Sequence, residues 1–246
     1  GTSLVIGTRG LCAASFSAWL VLRRAGLRCA ETVVPLRRPD TARRLRELSP
    51  TGGVPALLLD GVPIGGPMGI ADHAAWRLPS LWPDPELREL ARRSALAAVN
   101  GFAELAAFLP LDMAATFSPP GPLVRPIADG LARLPAIWDE CRDASGGQGK
   151  FLFGRFGVVD AMMAPWVARL ATHAIPLEPR HAAYADALQA LPEWAEWQAA
   201  AKLDAAGVVP RPQAKASPAV RPQPAVESEP MIEPRPVVGI EAARPE

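Results

Sequence analysis

Within its first eighty residues this 246-residue chain switches hydrophobic period several times, and that switching restricts the available folds more than any bulk property. "SLVIG" (3–7) is a short apolar run closed by glycine, which predicts a buried strand. "SFSAWLVLRRAG" (15–26) carries apolar residues at helical spacing and stops at Gly26. "CAETVVPL" (29–36) alternates as a strand. "DTARRLRELSP" (40–50) starts at an Asp or Thr cap and is halted by Pro50. "PALLLDG" (55–61) is a second buried strand running into an Asp-Gly turn, from which "VPI" pairs back. A third helix is predicted over about 67–77, so the order is βαβαββα.

After the proline-rich connector "LPSLWPDP" (78–85) the texture changes. "ELRELARRSALAAVNGFAELAAFL" (86–109) is a long Ala/Leu-rich helix interrupted only by Asn100-Gly101. Further helices are expected at roughly 122–145, 158–173, 180–190 and 193–203. Mixed structure first and helices second predicts two packed domains, residues 1–78 and 86–207, with 79–85 as the linker. From about Val208 the composition shifts again, and nine of the 28 prolines fall in the remainder. Such a segment buries too little apolar surface to offset its ordering entropy, so 208–246 reads as a disordered or polyproline-like tail.

The 26 basic and 25 acidic residues nearly cancel, which leaves no global field to draw in nucleic acid or an anionic membrane. The basic stretch "LRRPDTARRLRE" (36–47) reads as one solvated, arginine-rich helix, not an aromatic-interleaved groove. No run of about 18 apolar residues exists, so no membrane span is expected. Gly1-Thr2-Ser3 leads straight into a strand-like run, and no signal peptide is read there. Cys12, Cys29 and Cys141 have no metal-ligand spacing and form no disulfide framework, which suits a reducing cytoplasm. His73, His173 and His181 are scattered, and no metal site is expected.

Three stretches, "LVIGTRGLCAASFSAW" (4–19), "SPTGGVPALLLDG" (49–61) and "FLFGRFGVVDAMMAPWVARL" (151–170), carry a likeness that continues into "AYADALQALPEWAEW" (183–197). Over residues 3–205 the chain resembles the cytosolic glutathione S-transferase superfamily. The resemblance implies an N-terminal thioredoxin-like βαβαββα domain followed by an all-helical C-terminal domain. It also implies a cytoplasmic homodimer, glutathione as co-substrate, and a small electrophile or disulfide as the second substrate. It implies a cis bond between Val54 and Pro55, which presents the Val54 backbone N–H and C=O to the peptide backbone of a small thiol. Asp160 becomes half of a buried capping box, because Gly157 stands where the family has Ser or Thr. It is read as a folding residue.

The same resemblance places Cys12 at the thiol-activating position, where bacterial members have the first serine of a Ser-Ser pair. Leu11 and Ala14 fill the neighbouring positions. Backbone N–H groups and the helix dipole favour a thiolate at such a place, able to attack disulfides. "CAAS" (12–15) has the Cys-x-x-Ser form of monothiol redox sites. The other reading of Cys12 is a small buried residue. Cys29 and Cys141 read as core or surface residues.

The family's acidic-Ser pair, which grips the γ-glutamyl end of glutathione, falls on Gly66-Pro67. Gly66 has no carboxylate, and Pro67 has neither hydroxyl nor N–H. Charge-assisted hydrogen bonds contribute about 1.5–3 kcal/mol each, so losing two weakens binding about a hundredfold or more. As a helix start the exchange is comfortable, since glycine is acceptable at the N-cap and proline is favoured next. Arg9 and Thr51 are the residues placed to compensate, although a solvated loop arginine is the simpler reading of Arg9. Asp72 and His73 are expected to face solvent or a dimer partner. Two functions follow. One is glutathione-dependent transfer or thiol exchange with Cys12 as the thiol-site residue and Val54, Pro55, Gly66 and Pro67 around the ligand. The other is a non-catalytic binding or interaction protein of the same fold that has lost glutathione.

Overall fold

The computed structural model describes residues 1–207, and the proline-rich tail expected from 208 lies outside them. Leu4, Val5 and Ile6 are buried in β1 (Thr2–Gly7), an interior strand of a four-stranded sheet. β2 (Ala30–Val34) runs parallel to β1 on one side. β3 (Ala56–Leu59) is antiparallel on the other, and β4 (Val62–Gly65) is antiparallel at the edge beyond it. Asp60 (φ 48°) and Gly61 (φ 89°) both take positive φ between β3 and β4, as a tight two-residue hairpin turn requires. With α1 (Ala13–Arg24), α2 (Thr41–Leu48) and α3 (Pro67–Arg77) the order is the predicted βαβαββα.

The rest of the described chain is helical: α4 (Arg88–Asn100), α5 (Ala103–Phe108), α6 (Arg125–Ala144), α7 (Val158–Thr172), α8 (Pro179–Gln189) and α9 (Pro192–Ala205). Asn100-Gly101 ends α4 and separates it from α5. The carbonyls left open there are taken by side chains from other helices: Trp166 Nε1 donates to Ala98 at 2.8 Å and Arg133 to Gly101 at 3.2 Å.

Every residue of α1 from Ser15 to Leu22 is buried, so this helix has no solvent face for two turns. Its neighbours are α3 beside the sheet and α7 and α9 from the helical layer. Phe16 stacks on Trp197 with centroids 5.3 Å apart and meets Trp194 edge-on at 5.4 Å. Trp19 lies 5.0 Å from the same Trp197. One apolar core therefore runs from β1 through α1 into α4, α6, α7 and α9. The opposite sheet face carries only a small cluster around Val5, Val34 and Ala56, towards which α2 contributes the partly buried Leu45.

Asp40 stands at the N-cap position of α2, as expected, but its side chain caps none of the helix N–H groups. Its carboxylate is drawn along the helix to Arg44 at 2.5 Å and Arg43 at 3.4 Å, and the Thr41 hydroxyl donates to the Pro35 carbonyl. Two guanidiniums one turn on outcompete the backbone N–H groups for the same acceptor.

Asp160 is buried at the start of α7. Its Oδ2 accepts the Gly157 N–H at 2.9 Å, and its Oδ1 accepts the Leu152 N–H at 3.1 Å and the Tyr184 hydroxyl at 3.0 Å. Burial pushes the carboxyl up to about 6, against the opposing pull of these donors. One side chain thus joins the entry loop, α7 and α8. Gly157, with no side chain, offers nothing in return, and the structure supplies a reason. A Cβ at 157 would lie 2.6 Å from the Leu81 carbonyl oxygen in the connector. Completing the capping box is therefore expected to harm the protein: Gly157→Ser should lower unfolding stability by about 1–3 kcal/mol, because overpacking against backbone outweighs the added cap. Urea unfolding of the two proteins checks this, and a variant as stable as the parent contradicts it.

Candidate functional site

β1 and β3 are antiparallel, so the end of β1 and the start of β3 lie at the same end of the sheet. The end of β4 joins them, since Gly65 pairs with Ala56. This topology gathers Cys12, which follows β1, Val54-Pro55, which precedes β3, and Gly66-Pro67, which follows β4.

Cys12 is the N-cap residue of α1, with extended backbone (φ −111°, ψ 103°) and a carbonyl that accepts the Phe16 N–H at 3.1 Å. It is half-buried. Ser15, one turn on and fully buried, accepts the Gly7 N–H at 3.1 Å and donates its own proton to Cys12 Sγ at 3.0 Å. The strand end thereby fixes which way the hydroxyl points. The Cys12 sulfur thus has a fixed O–H donor beside it at the head of α1. The other thiols are not so placed. Burial first, and Glu31 second, push Cys29 up. Cys141 is buried against the Ser94 hydroxyl at 3.3 Å, and burial pushes it up to about 11.

The Val54-Pro55 bond is cis. Among the described residues no hydrogen bond occupies the Val54 N–H or C=O, whereas the Pro55 carbonyl accepts the Gly66 N–H at 3.1 Å. Gly66 sits at φ 73° and ψ 159°, a region that essentially only glycine adopts. An acidic side chain at this position would therefore strain the backbone. Pro67 is the first residue of α3 and has no N–H to offer. The junction itself donates nothing outward, and the next open donors are the Met68 and Gly69 N–H groups of the first helical turn.

Thr51 does not stand free, since its hydroxyl lies 3.0 Å from Ser49 Oγ within its own turn. Arg9 is neither solvated nor available to a ligand, which corrects the sequence reading. Its backbone N–H and Nη1 grip Asp204 at 2.9 and 3.1 Å, and its Nη2 reaches Glu31 at 3.2 Å. Only 11% of the side chain is exposed. The partner stands at the far end of α9, so no local pattern could reveal it. Asp72 pairs with Arg92 at 2.9 Å on the surface, and His73 lies beside the exposed Trp76.

A cleft of about 370 Å³ opens between the first turn of α1, Pro67 and the helical layer, lined by Ala13 and Ala14, which follow Cys12, and not by Cys12 itself. Ala13, Ala14 and Ser17 form one wall; Asn100 and Phe102 form a second. Met162, Pro165, Trp166 and Arg169 of α7 form the third. The α7 residues were not picked out from sequence. Their signal is the spacing of Met162, Trp166 and Arg169 at i, i+4 and i+7, with one cation on an otherwise apolar helix face. Among the described residues no three His, Cys, Asp or Glu side chains converge as metal ligands, and no helix is long and apolar enough to cross a membrane.

Residues 124–200 match the family model for the glutathione S-transferase C-terminal domain. No curated protein sequence matches the chain. Among solved structures it is similar to a glutathione transferase homolog from Burkholderia gl BGR1 with bound glutathione, at 23% identity and TM-score 0.60 over 82% of this chain and 97% of that one. A glutathione transferase from Methylococcus capsulatus str. Bath shares 24% identity at TM-score 0.60, over 82% of this chain and 100% of that one. Glutathione transferase Omega 3C from Trametes versicolor shares 19% identity at TM-score 0.57, over 79% and 88% respectively. These likenesses establish the fold, a thioredoxin-like N-terminal domain with a helical C-terminal domain.

The Ser15 hydroxyl bond gives a direct expectation. Ser15→Ala should slow iodoacetamide alkylation of Cys12 at neutral pH by about tenfold, the loss of one hydrogen bond to the reacting sulfur. Peptide mass spectrometry at Cys12 reads the rate, and an unchanged rate removes Ser15 from the site.

Proposed function

We propose that this chain is a member of the glutathione S-transferase superfamily, a reading supported by the match of residues 124–200 to the family's C-terminal domain and by the shared fold, and that it carries out glutathione-dependent thiol exchange or transfer at Cys12. The observation that carries this reading is the Ser15 hydroxyl held against the Cys12 sulfur at 3.0 Å, at the head of a buried helix whose next residues, Ala13 and Ala14, line an open cleft. Glutathione lies along the free backbone groups of Val54, next to Pro55, with its carboxylate at the first turn of α3. The partner molecule occupies the cleft. In exchange, the Cys12 thiolate attacks the glutathionyl sulfur of a mixed disulfide. A Cys12–glutathione disulfide forms and the other thiolate leaves. A second glutathione thiolate then attacks that disulfide, releasing oxidised glutathione and regenerating Cys12. In transfer, glutathione itself is the nucleophile, and the same surroundings hold its thiolate near the electrophile. Both steps suit a reducing compartment such as the cytoplasm.

A second reading is favoured by one specific observation. The Gly66 N–H is spent on Pro55 and Pro67 has none, so the γ-glutamyl end of glutathione meets neither side chain nor donor at the junction. On that reading the protein retains the fold for binding without catalysis.

The two readings separate in one set of titrations. On the first, reduced glutathione binds saturably in a calorimeter below about a millimolar. Cys12→Ser then abolishes exchange with a glutathionyl mixed disulfide while leaving glutathione binding intact. Pro67→Ser, which returns a hydroxyl and an N–H without disturbing Gly66, should tighten glutathione about tenfold. No saturation in either the parent or Pro67→Ser favours the second reading.

The family reading extends to a homodimer, supported by an apolar face on α3, β4 and α4. Trp76 is 79% exposed, Val62 65% and Leu96 43%. The Asp72–Arg92 ion pair sets Trp76 and Leu96, each four residues along its helix, on adjoining faces. Trp76→Glu should shift sedimentation from dimer to monomer, and an unchanged dimer places the interface elsewhere.

A further inference from the structure

The helical layer holds a second cavity, of about 560 Å³, that shares no lining residue with the cleft. It lies between the loop before α6, one face of α6 and the connection from α7 to α8. Leu123, Leu131, Leu170, Ile175 and Leu177 give it apolar walls. Five of its fourteen lining residues are prolines, and a proline presents a carbonyl but no N–H. The only polar side chains among the described lining residues are Glu178 and His181, close together at the start of α8. Glu178 is exposed at the rim. Only 9% of the His181 side chain is exposed, and its Nε2 lies 2.9 Å from Asp139 Oδ1. A carboxylate can only accept, so Nε2 carries the proton and Nδ1 is the acceptor of the neutral ring. Asp139 holds the imidazole in place together with Trp138, whose ring meets it edge-on with centroids 6.0 Å apart. Nδ1 has no hydrogen-bond partner among the described residues, and unlike Trp138 Nε1 it is not sealed from solvent.

We infer that this cavity binds a small alkylated phenol, its hydrocarbon against the leucines and prolines and its O–H donated to His181 Nδ1. The size and the apolar walls suit a small-molecule site, and the anchor sets the class. A ligand without a donor, such as an ether or a ketone, would leave Nδ1 buried and unpaired. Burying an ion there is costly in either sign. Glu178 and Asp139 oppose an anion, while Arg180, 2.6 Å from Asp139, and the N-terminus of α8 oppose a cation. A phenol is both neutral and a strong donor. Neither Cys12 nor glutathione takes part, so the site lies beyond the proposed thiol chemistry and does not depend on it.

Calorimetry on the full-length protein tests this with 4-propylphenol, its methyl ether and 4-propylbenzoate, each taken to millimolar concentration. The phenol should bind saturably and about tenfold more tightly than either of the others, the worth of one hydrogen bond to an otherwise unpaired buried acceptor. His181→Phe keeps an aromatic ring against Trp138 but removes Nδ1, and should equalise phenol and ether. Because this change also cuts the bond to Asp139, a second variant keeps the test independent of folding. A Cβ at Gly121 would meet no atom within 4 Å, so Gly121→Trp is accommodated in the loop and brings a ring over the cavity. It should weaken phenol binding by about tenfold or more. No saturable phenol binding by the parent, or no preference over the ether, overturns the inference, as does a benzoate that binds as tightly. A preference that survives His181→Phe overturns it, and so does phenol binding that Gly121→Trp leaves unchanged, which places the ligand elsewhere.

Discussion

Everything near the thiol depends on the burial of α1 on all sides. A helix with two turns and no solvent face must have partners all round. Here they are the sheet and α3 on one side, α7 and α9 on the other. The helix belongs to both layers at once, so the residues at its head occupy the seam. Cys12 faces the sheet end, while Ala13, Ala14 and Ser17 face the cleft. The tryptophans of α9 and the Arg9–Asp204 clamp hold the far layer in register with that head. A change in the packing of α1 would displace thiol and cleft wall together.

The architecture was legible because it rests on local signals. Short apolar runs, Gly26 and the Asp-Gly turn marked the strands and breaks, and the Pro67 start and Arg77 end of α3 were placed as they stand. The rim residues were legible for the same reason, each lying next to a strand end. The long-range partners of polar groups were not. Arg9 finds its carboxylate 195 residues away, and nothing in "GTRG" hints at it. Asp40 carried the right residue type for a cap but lost it to neighbouring arginines. Arg169 looked like one more helix residue, since the carbonyls it holds at the end of α5 lie 63 and 60 residues away in sequence.

Two departures from the family pattern have different physical origins. Gly157 yields to a neighbour: the Leu81 carbonyl occupies the space a side chain would need, and Asp160 carries the cap alone. Gly66 yields to its own backbone, whose dihedral angles suit glycine. Pro67 answers to neither constraint. It follows the rules of a helix start, which a serine would satisfy as well.

That difference has an evolutionary side. Every proline codon is one base from a serine codon, so the hydroxyl and N–H at position 67 are within a single mutational step. Aspartate at 66 is also one base from some glycine codons, but the backbone there opposes it. The two positions of the junction are therefore unequally open to gaining a polar side chain. The proline side could gain a hydroxyl and an N–H in one step, while the glycine side would first require the turn between β4 and α3 to be rebuilt.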